Sequence, residues 1–366
     1  MKDGRLRKLL DAILVPVLAI LSGLVVMGIL ILFLRKPLFE SFAILFSSGF
    51  GCAEYGNCIF ITALERATPI ILTGLSAVVA FRSGMFSIGQ EGQYLLGAVA
   101  AAWLGYALHL PPILHVLVIL IAAMFVGAGY GWIPGILKVK LGVNELLSTI
   151  MLNSIAALLI EYLVQFPMRA DRSTTAHSPV IDESAQLMSF LPGSKWGVGF
   201  VIAVIAVILV YYYLWHTKPG YEQRMAGQAR RFALFGGIPS DNSAVRAMLI
   251  SGALAGLAGA IEVMGVHRRI MTGFSVGLGF DGLTAAILGQ IHPIGVFIVA
   301  ILFSGLKLGA QIGLQLRLDI PRELGGTIIG FIVLFVAAGK LYEESIVRAR
   351  EWSTRRQGSK LKGESS

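Results

Sequence analysis

Apolar runs close to 20 residues long recur along the chain, at residues 12–34, 67–81, 94–110, 114–137, 144–166, 198–214, 245–264, 294–314 and 326–341, with a shorter one at 283–290. A helix needs about 20 apolar residues to cross a bilayer core. The pattern therefore predicts an all-α, polytopic integral membrane protein of about ten transmembrane helices. One break stands apart. Residues 81–97, FRSGMFSIGQEGQYLLG, lie between two apolar runs yet hold Arg82, Gln90, Glu91, Gln93 and four glycines. Polar groups and glycine-rich backbone are tolerated at membrane depth only where protein buries them or a cavity solvates them. This stretch reads as the wall of a path through the membrane.

Two further patterns agree with that reading. In the run at 144–166, Glu145, Thr149, Asn153, Ala157 and Glu161 recur every four residues and share one helix face, which should turn away from lipid. The alternative is that both glutamates sit at the interfaces and only Asn153 lies deep. Farther on, Phe274-Ser275-Val276-Gly277 followed by Asp281-Gly282 echoes Phe86-Ser87-Ile88-Gly89 followed by Glu91-Gly92. Counting spans from a cytoplasmic N-terminus puts the two copies at opposite faces, as an inverted repeat around a central path would. Chance recurrence of glycine-rich segments is the competing explanation. The expected path residues are Phe86, Gln90, Glu91, Gln93, Asn153 and Asp281.

Composition sharpens the class. Only 14% of the residues are charged and 56% are hydrophobic, whereas soluble domains carry about 25% charged residues. The net charge of +9 resides in short loops and a basic C-terminal tail, the signature of topology control, and nucleic acid is not an expected partner. The basic N-terminus resembles a signal peptide, but its apolar run is too long for one. It is expected to stay as the first span, with both termini cytoplasmic. The most basic internal loop, residues 215–244, carries Lys218, Arg224, Arg230 and Arg231. One or two short helices are expected over 221–235, stopped by Gly236-Gly237. Gly252 and Gly256 form a G-x-x-x-G pair suited to close helix packing.

Candidate chemistry is sparse. Cys52 and Cys58 are the two cysteines, and either a disulfide closing a small external loop or two thiols fits their spacing. The six histidines are scattered without metal-ligand spacing, so no metal is expected. No G-x-x-x-x-G-K-[ST] loop occurs, so the chain is not expected to hydrolyse ATP itself or to need a cofactor. Enzymatic acid–base work by Glu91 and Asp281 has little support. An ion-gradient-driven transporter is the alternative, with Glu91, Glu145, Glu161, Glu262 and Asp281 as ion sites.

The segments ATPIILTGLSAVVAFRSGMFSIGQEGQ, GVNELLSTIMLN, GYEQRMAGQARRFALFGGI and SGALAGLAGAIEVMG together resemble the permease subunits of bacterial ABC importers for nucleosides and simple sugars, relatives of the branched-chain amino acid permeases. Ser87 stands where the family's signature commonly has asparagine. The resemblance implies a type-II-like importer permease in the cytoplasmic (inner) membrane. It would pair with a second permease, identical or not, and with two cytoplasmic ATPase subunits that use the ATP. An extracytoplasmic solute-binding lipoprotein would deliver the solute. It also implies a core at 67–343 between an N-terminal span (1–34), an external segment (35–66) and a cytoplasmic tail (344–366). ATPase contact is then expected in the 216–244 loop, at Tyr221, Arg230, Arg231, Phe232 and Gly237.

Overall fold

The computed structural model describes residues 25–29, 31–52, 58–170, 175–191, 193–274, 277–320, 327 and 330–331. The chain divides into two compact units, residues 51–305 and the flanking segments 1–50 with 306–366. In the flanking unit, helix α1 (Leu38–Phe50) packs against a π turn, Gly309–Gly313. A Cβ at Gly309 would strike the Leu45 carbonyl, and one at Gly313 would strike Ser48. The predicted first span lies mostly outside the described residues. The last span and the basic tail lie almost wholly outside them.

The larger unit is a helical bundle: α2 (Ile59–Arg82), α3 (Gln90–Ala107), α4 (Pro112–Leu141), α5 (Glu145–Gln165), α6 (Val198–His216), two short helices α7 (Lys218–Gln228) and α8 (Arg230–Phe235), α9 (Ser240–Ile261), α10 (Leu278–Leu288) and the start of α11 (Pro293–Leu308). Local signals explain the ends. Pro112 opens α4 in its first turn, where a missing N–H does no harm. Gly142 closes that helix at φ +69°, a conformation that a Cβ disfavours. Asn144 then caps α5 by accepting from the Leu146 N–H at 2.9 Å. Among the described residues, six helices are long and apolar enough to cross a membrane. The helices α3 and α10 are shorter or more polar.

Glycine contacts set the packing. α9 lies closest to α4, α3 and α2. A Cβ at Gly252 would strike the Gly127 carbonyl, one at Gly256 the Ala123 carbonyl, and one at Gly97 the Gly256 carbonyl. Backbone meets backbone at these crossings, the geometry small residues permit in lipid. The predicted Gly252 and Gly256 therefore pack against Gly127 of α4. The run Gly127, Gly131, Gly135 that faces α9 was equally readable in the sequence but was not singled out. Where α2 crosses α9, the Ser76 and Ser251 hydroxyls share a buried hydrogen bond of 2.8 Å. α3 packs on α9, and α10 packs on α2. At the latter crossing, a Cβ on Gly282 would strike Thr73.

The connecting segments gather at two ends. At one, Arg82 donates from Nε to the Ile291 carbonyl at 2.9 Å, and Gly84 lies against Gly227 of α7. At the other, Asp182 N–H donates to the Gly105 carbonyl at 2.8 Å and Ser178 N–H to the Ile270 carbonyl at 2.8 Å. His109 pairs there with Asp182 at 2.5 Å. The same two sets of loops follow from the count of spans.

Several boundaries differ from the sequence reading: α9 begins at Ser240, not near 245, and α10 at Leu278, not near 283. α3 begins at Gln90, not near residue 94, because its polar first turn is invisible to a search for apolar residues. α2 begins at Ile59 and carries Glu65 and Arg66 inside a helix read as starting near 67. The segment read as external, 35–66, contains α1.

Candidate functional site

The polar break resolves into a loop, residues 83–89, that turns into the first turn of α3. Gly84 sits at φ +78°, which lets the chain reverse directly after α2. Ser87 is fully buried, and its hydroxyl accepts from the Gly89 N–H at 3.2 Å, a local bond that steadies the approach to the helix. Gln90, Glu91 and Gln93 then follow in the first turn and are all buried.

The side chain of Glu91 points at the start of α10. Its Oε2 accepts from the Gly279 N–H, in the first turn of α10, at 2.7 Å. A Cβ on Gly279 would strike the Glu91 backbone, so glycine is what allows the two helix starts to meet. Glu91 also occupies the first turn of its own helix. One acidic side chain thus lies at the positive ends of two helices, where negative charge is favoured. Asp281 lies in the same first turn of α10. We expect Glu91→Gln to keep the contact to Gly279, since an amide oxygen also accepts. Glu91→Ala should lose about 1–3 kcal/mol by orphaning a buried N–H. Thermal unfolding of the two purified variants checks this; equal stability would remove the bridging role.

The α5 stripe holds these loops in place. Asn153 donates from Nδ2 to the Ile88 carbonyl at 2.7 Å and accepts on Oδ1 from the Gly92 N–H at 2.9 Å. Thr149 accepts from the Ile88 N–H at 3.3 Å. At the far end of the stripe, Glu161 accepts from the Gly273 N–H at 2.7 Å, in the loop before α10. Glu145 pairs with Lys138 at 2.7 Å. The stripe faces protein, and one helix clasps both loops. The holding roles of Thr149 and Glu161 were missed because a sequence shows a polar face but not what it touches.

The expected path residues do not form one lining. Glu91 and the first turn of α10 meet, and Asn153 reaches the same turn of α3. Phe86 lies apart, stacked on Phe81 at 4.5 Å and half exposed. The two glutamines differ from all of these. Gln90 and Gln93 are each 1% exposed, yet both amide atoms of Gln90 and the Gln93 Oε1 have no hydrogen-bond partner among the described residues. Ser275 and Val276 of the echo lie outside the described residues.

The expected docking loop is a helical pair. α7 is fixed to the bundle through Gln223, which accepts from the Tyr213 hydroxyl at 2.9 Å and donates to the Val79 carbonyl at 2.6 Å. Arg246 Nη2 donates to the Pro219 carbonyl at 3.0 Å. α8 instead presents Phe232, Leu234 and Phe235 to the outside, Phe235 being 93% exposed. Arg230 is engaged with Asp241 at 2.6 Å, whereas Arg231 and Tyr221 are exposed. Gly237, at φ +75°, ends the pair. Elsewhere, Cys52 and Cys58 are joined as a disulfide. No group of metal-ligating residues occurs among the described residues.

A bundle with membrane-length helices and an exposed helical pair at one end has the organisation of a multi-pass membrane transport subunit. Residues 59–337 match the family described as "Branched-chain amino acid transport system / permease component", and the chain belongs to that family. It is 35% identical to the guanosine ABC transporter permease protein NupP of Bacillus subtilis, over 90% of this chain and 94% of the relative. The nucleoside ABC transporter permease protein NupB of Lactococcus lactis is 30% identical, over 96% and 98% of the two chains. The glucose ABC transporter permease protein TsgB13 of Haloferax volcanii is 28% identical, over 90% and 88%. No solved structure matches the chain.

Proposed function

We propose that this chain is a permease subunit of an ABC importer in the cytoplasmic membrane and moves a neutral polar solute, a nucleoside or a related sugar. The observation that carries the solute class is Glu91 at the start of α10. Helix N-termini at mid-membrane are the usual seat for an anionic substrate group. Here the protein's own acidic side chain fills that place, which disfavours amino-acid carboxylates. In the same turn of α3, both amide atoms of Gln90 and the Gln93 Oε1 have no partner among the described residues, and they suit hydroxyls and the edges of a base. Nucleoside and sugar permeases among the relatives support the same class.

Gln90 and Gln93 are each 1% exposed among the described residues, so a solute reaches them only after movement. α7 and α8 are the place where separate ATPase subunits would supply it, and a second permease would complete the path. An ion-driven mechanism fares worse. Glu91, Glu145, Glu161 and Glu262 each bond to another protein group, Glu262 to His267 at 3.1 Å, and Asp281 is engaged as well. Oxygens already committed in this way are poor ion ligands.

Phe232→Ala with Phe235→Ala should cut ATPase co-purification and uptake by about tenfold or more, since buried aromatic anchors contribute about 2 kcal/mol or more to interfaces. Membrane abundance should hold, because both rings face outward. Unchanged uptake in the double variant would count against docking at α8. Gradient-driven uptake by this chain alone in proteoliposomes would favour the ion-driven reading.

A further inference from the structure

Beside the docking end lies a cationic cluster that the transport reading does not use. Arg82 ends α2, Trp215 lies near the end of α6 and Arg224 is on α7. The two guanidinium carbons stand 5.3 Å and 5.4 Å from the same Trp215 ring. Among the described residues no carboxylate lies within ion-pair distance of either arginine, although five ion pairs form elsewhere. The Nε of Arg224 is buried without a partner. Two arginines that share one ring, without a counter-charge, repel each other.

Two cavities meet at this cluster. One, of about 440 Å³, is lined by Arg82, Gln290, His292 and Ile298 among others. The other, of about 160 Å³, is lined by Arg82, Arg224, Gln228 and Gln290. Among the described residues, neither has an acidic residue in its wall. The turn between them is strained, with Gln290 at φ +55° and Ile291 at φ +52°, the latter a true outlier for a β-branched residue. Arg82 holds that turn through the Ile291 carbonyl. His292 stands on the cavity wall, its pKa lowered by burial and then by the charge of Arg82. Tyr212 on α6 and Ile294 and Ile298 on α11 carry exposed apolar surface past the cluster.

We propose that Arg82, Arg224 and Trp215 form a binding site for a phosphate group, that of an anionic phospholipid whose chains lie along the exposed faces of α6 and α11. Arginine forks match phosphate geometry, and basic pockets at helix ends beside lipid suit anionic headgroups. The tryptophan adds an interfacial anchor. Because Arg224 belongs to α7, the bound headgroup ties the docking segment to the membrane surface and supplies the missing counter-charge.

Native mass spectrometry of the purified full chain, with phosphatidylglycerol titrated against phosphatidylcholine, tests the site. Wild type should retain phosphatidylglycerol preferentially. Arg224→Gln should weaken that retention about tenfold, the loss of one charged hydrogen-bond set. Arg224→Lys should weaken it less, and Lys195→Gln, at the other end of the bundle, should leave it unchanged. If Arg224→Gln does not accumulate, Arg224→Lys and Trp215→Phe must both lower retention. A second arm titrates inorganic phosphate into phosphatidylcholine nanodiscs and follows the part of the tryptophan fluorescence that Trp215→Phe removes. No response at millimolar phosphate is expected; saturation there would assign the site to a soluble phosphate and overturn the lipid source. Equal retention of the two lipids, or retention unaffected by Arg224→Gln, would overturn the site itself.

Discussion

Gly256→Val should all but abolish accumulation of the protein in the membrane, by about tenfold or more, while Gly129→Val on α4 should stay within about twofold of wild type. Both glycines lie within apolar helices. Their surroundings differ. A Cβ at Gly256 would strike the Ala123 carbonyl and stand 3.1 Å from the Gly127 Cα, so the added atoms meet backbone that no rotamer change can move. Gly97 of α3 lies against Gly256 as well, and three helices must shift together. Overpacking of a flexible core typically costs about 1–3 kcal/mol, occasionally more, and a rigid three-helix junction belongs at the upper end. That is a large share of a stability of about 5–15 kcal/mol. A Cβ at Gly129 meets nothing within 4 Å. Quantitative immunoblots of membrane fractions, with thermal unfolding in detergent, separate the two variants. Normal abundance and unfolding of Gly256→Val would show that the crossing is looser than its geometry.

Much of this architecture was legible because hydrophobic length is a one-dimensional signal. The long helices, the turn at Pro111-Pro112, the stop at Gly236-Gly237 and the short helices at the docking end all follow from composition and local chemistry. The start of α3 did not, because a polar helical turn buried by other helices carries no apolar signature. α2 likewise extends through Glu65 and Arg66, and Glu65 accepts from the Lys195 N–H at 3.3 Å, a partner 130 residues away. Charges satisfied by distant segments hide helix ends from any local reading.

The site was legible as residue types but not as an arrangement. Glu91 and Asp281 stood out as paired acidic positions after glycine, and the structure brings Glu91 to the first turn that holds Asp281. The polar face of α5 was visible, yet its work is to clasp two loops through Asn153 and Glu161. That work depends on backbone N–H and carbonyl groups, which every residue possesses and no sequence pattern marks. Gly84 and Gly227 escaped notice for the same reason, since their meeting lies wholly in backbone.

Their meeting carries the second large effect. Gly227→Val should reduce uptake about tenfold or more while leaving ATPase binding and membrane abundance close to wild type. A Cβ at Gly227 would strike the Arg82 carbonyl and stand 2.7 Å from the Gly84 nitrogen. Gly84 cannot give way by changing conformation easily, because it already holds φ +78° to reverse the chain. The valine must therefore push α7 off the loop at 83–89. That loop leads within a few residues to Gln90 and Glu91, and Glu91 touches α10, so α7 rests on the first link of a chain of contacts that runs to α10. If α8 is the docking surface proposed above, displacing α7 should leave its exposed rings able to bind a partner but uncouple that partner from the buried turn. Close coupling of an interface to a remote site through packed elements with two arrangements is a physical route for such transmission. The measurements are uptake in cells beside co-purification of the ATPase subunits, with Gly236→Ala, at φ −78° and with no atom nearer than 3.4 Å to an added Cβ, as the comparison at the same end. Uptake lost together with ATPase binding would place the defect in docking, and uptake retained would show that force reaches Glu91 by another route.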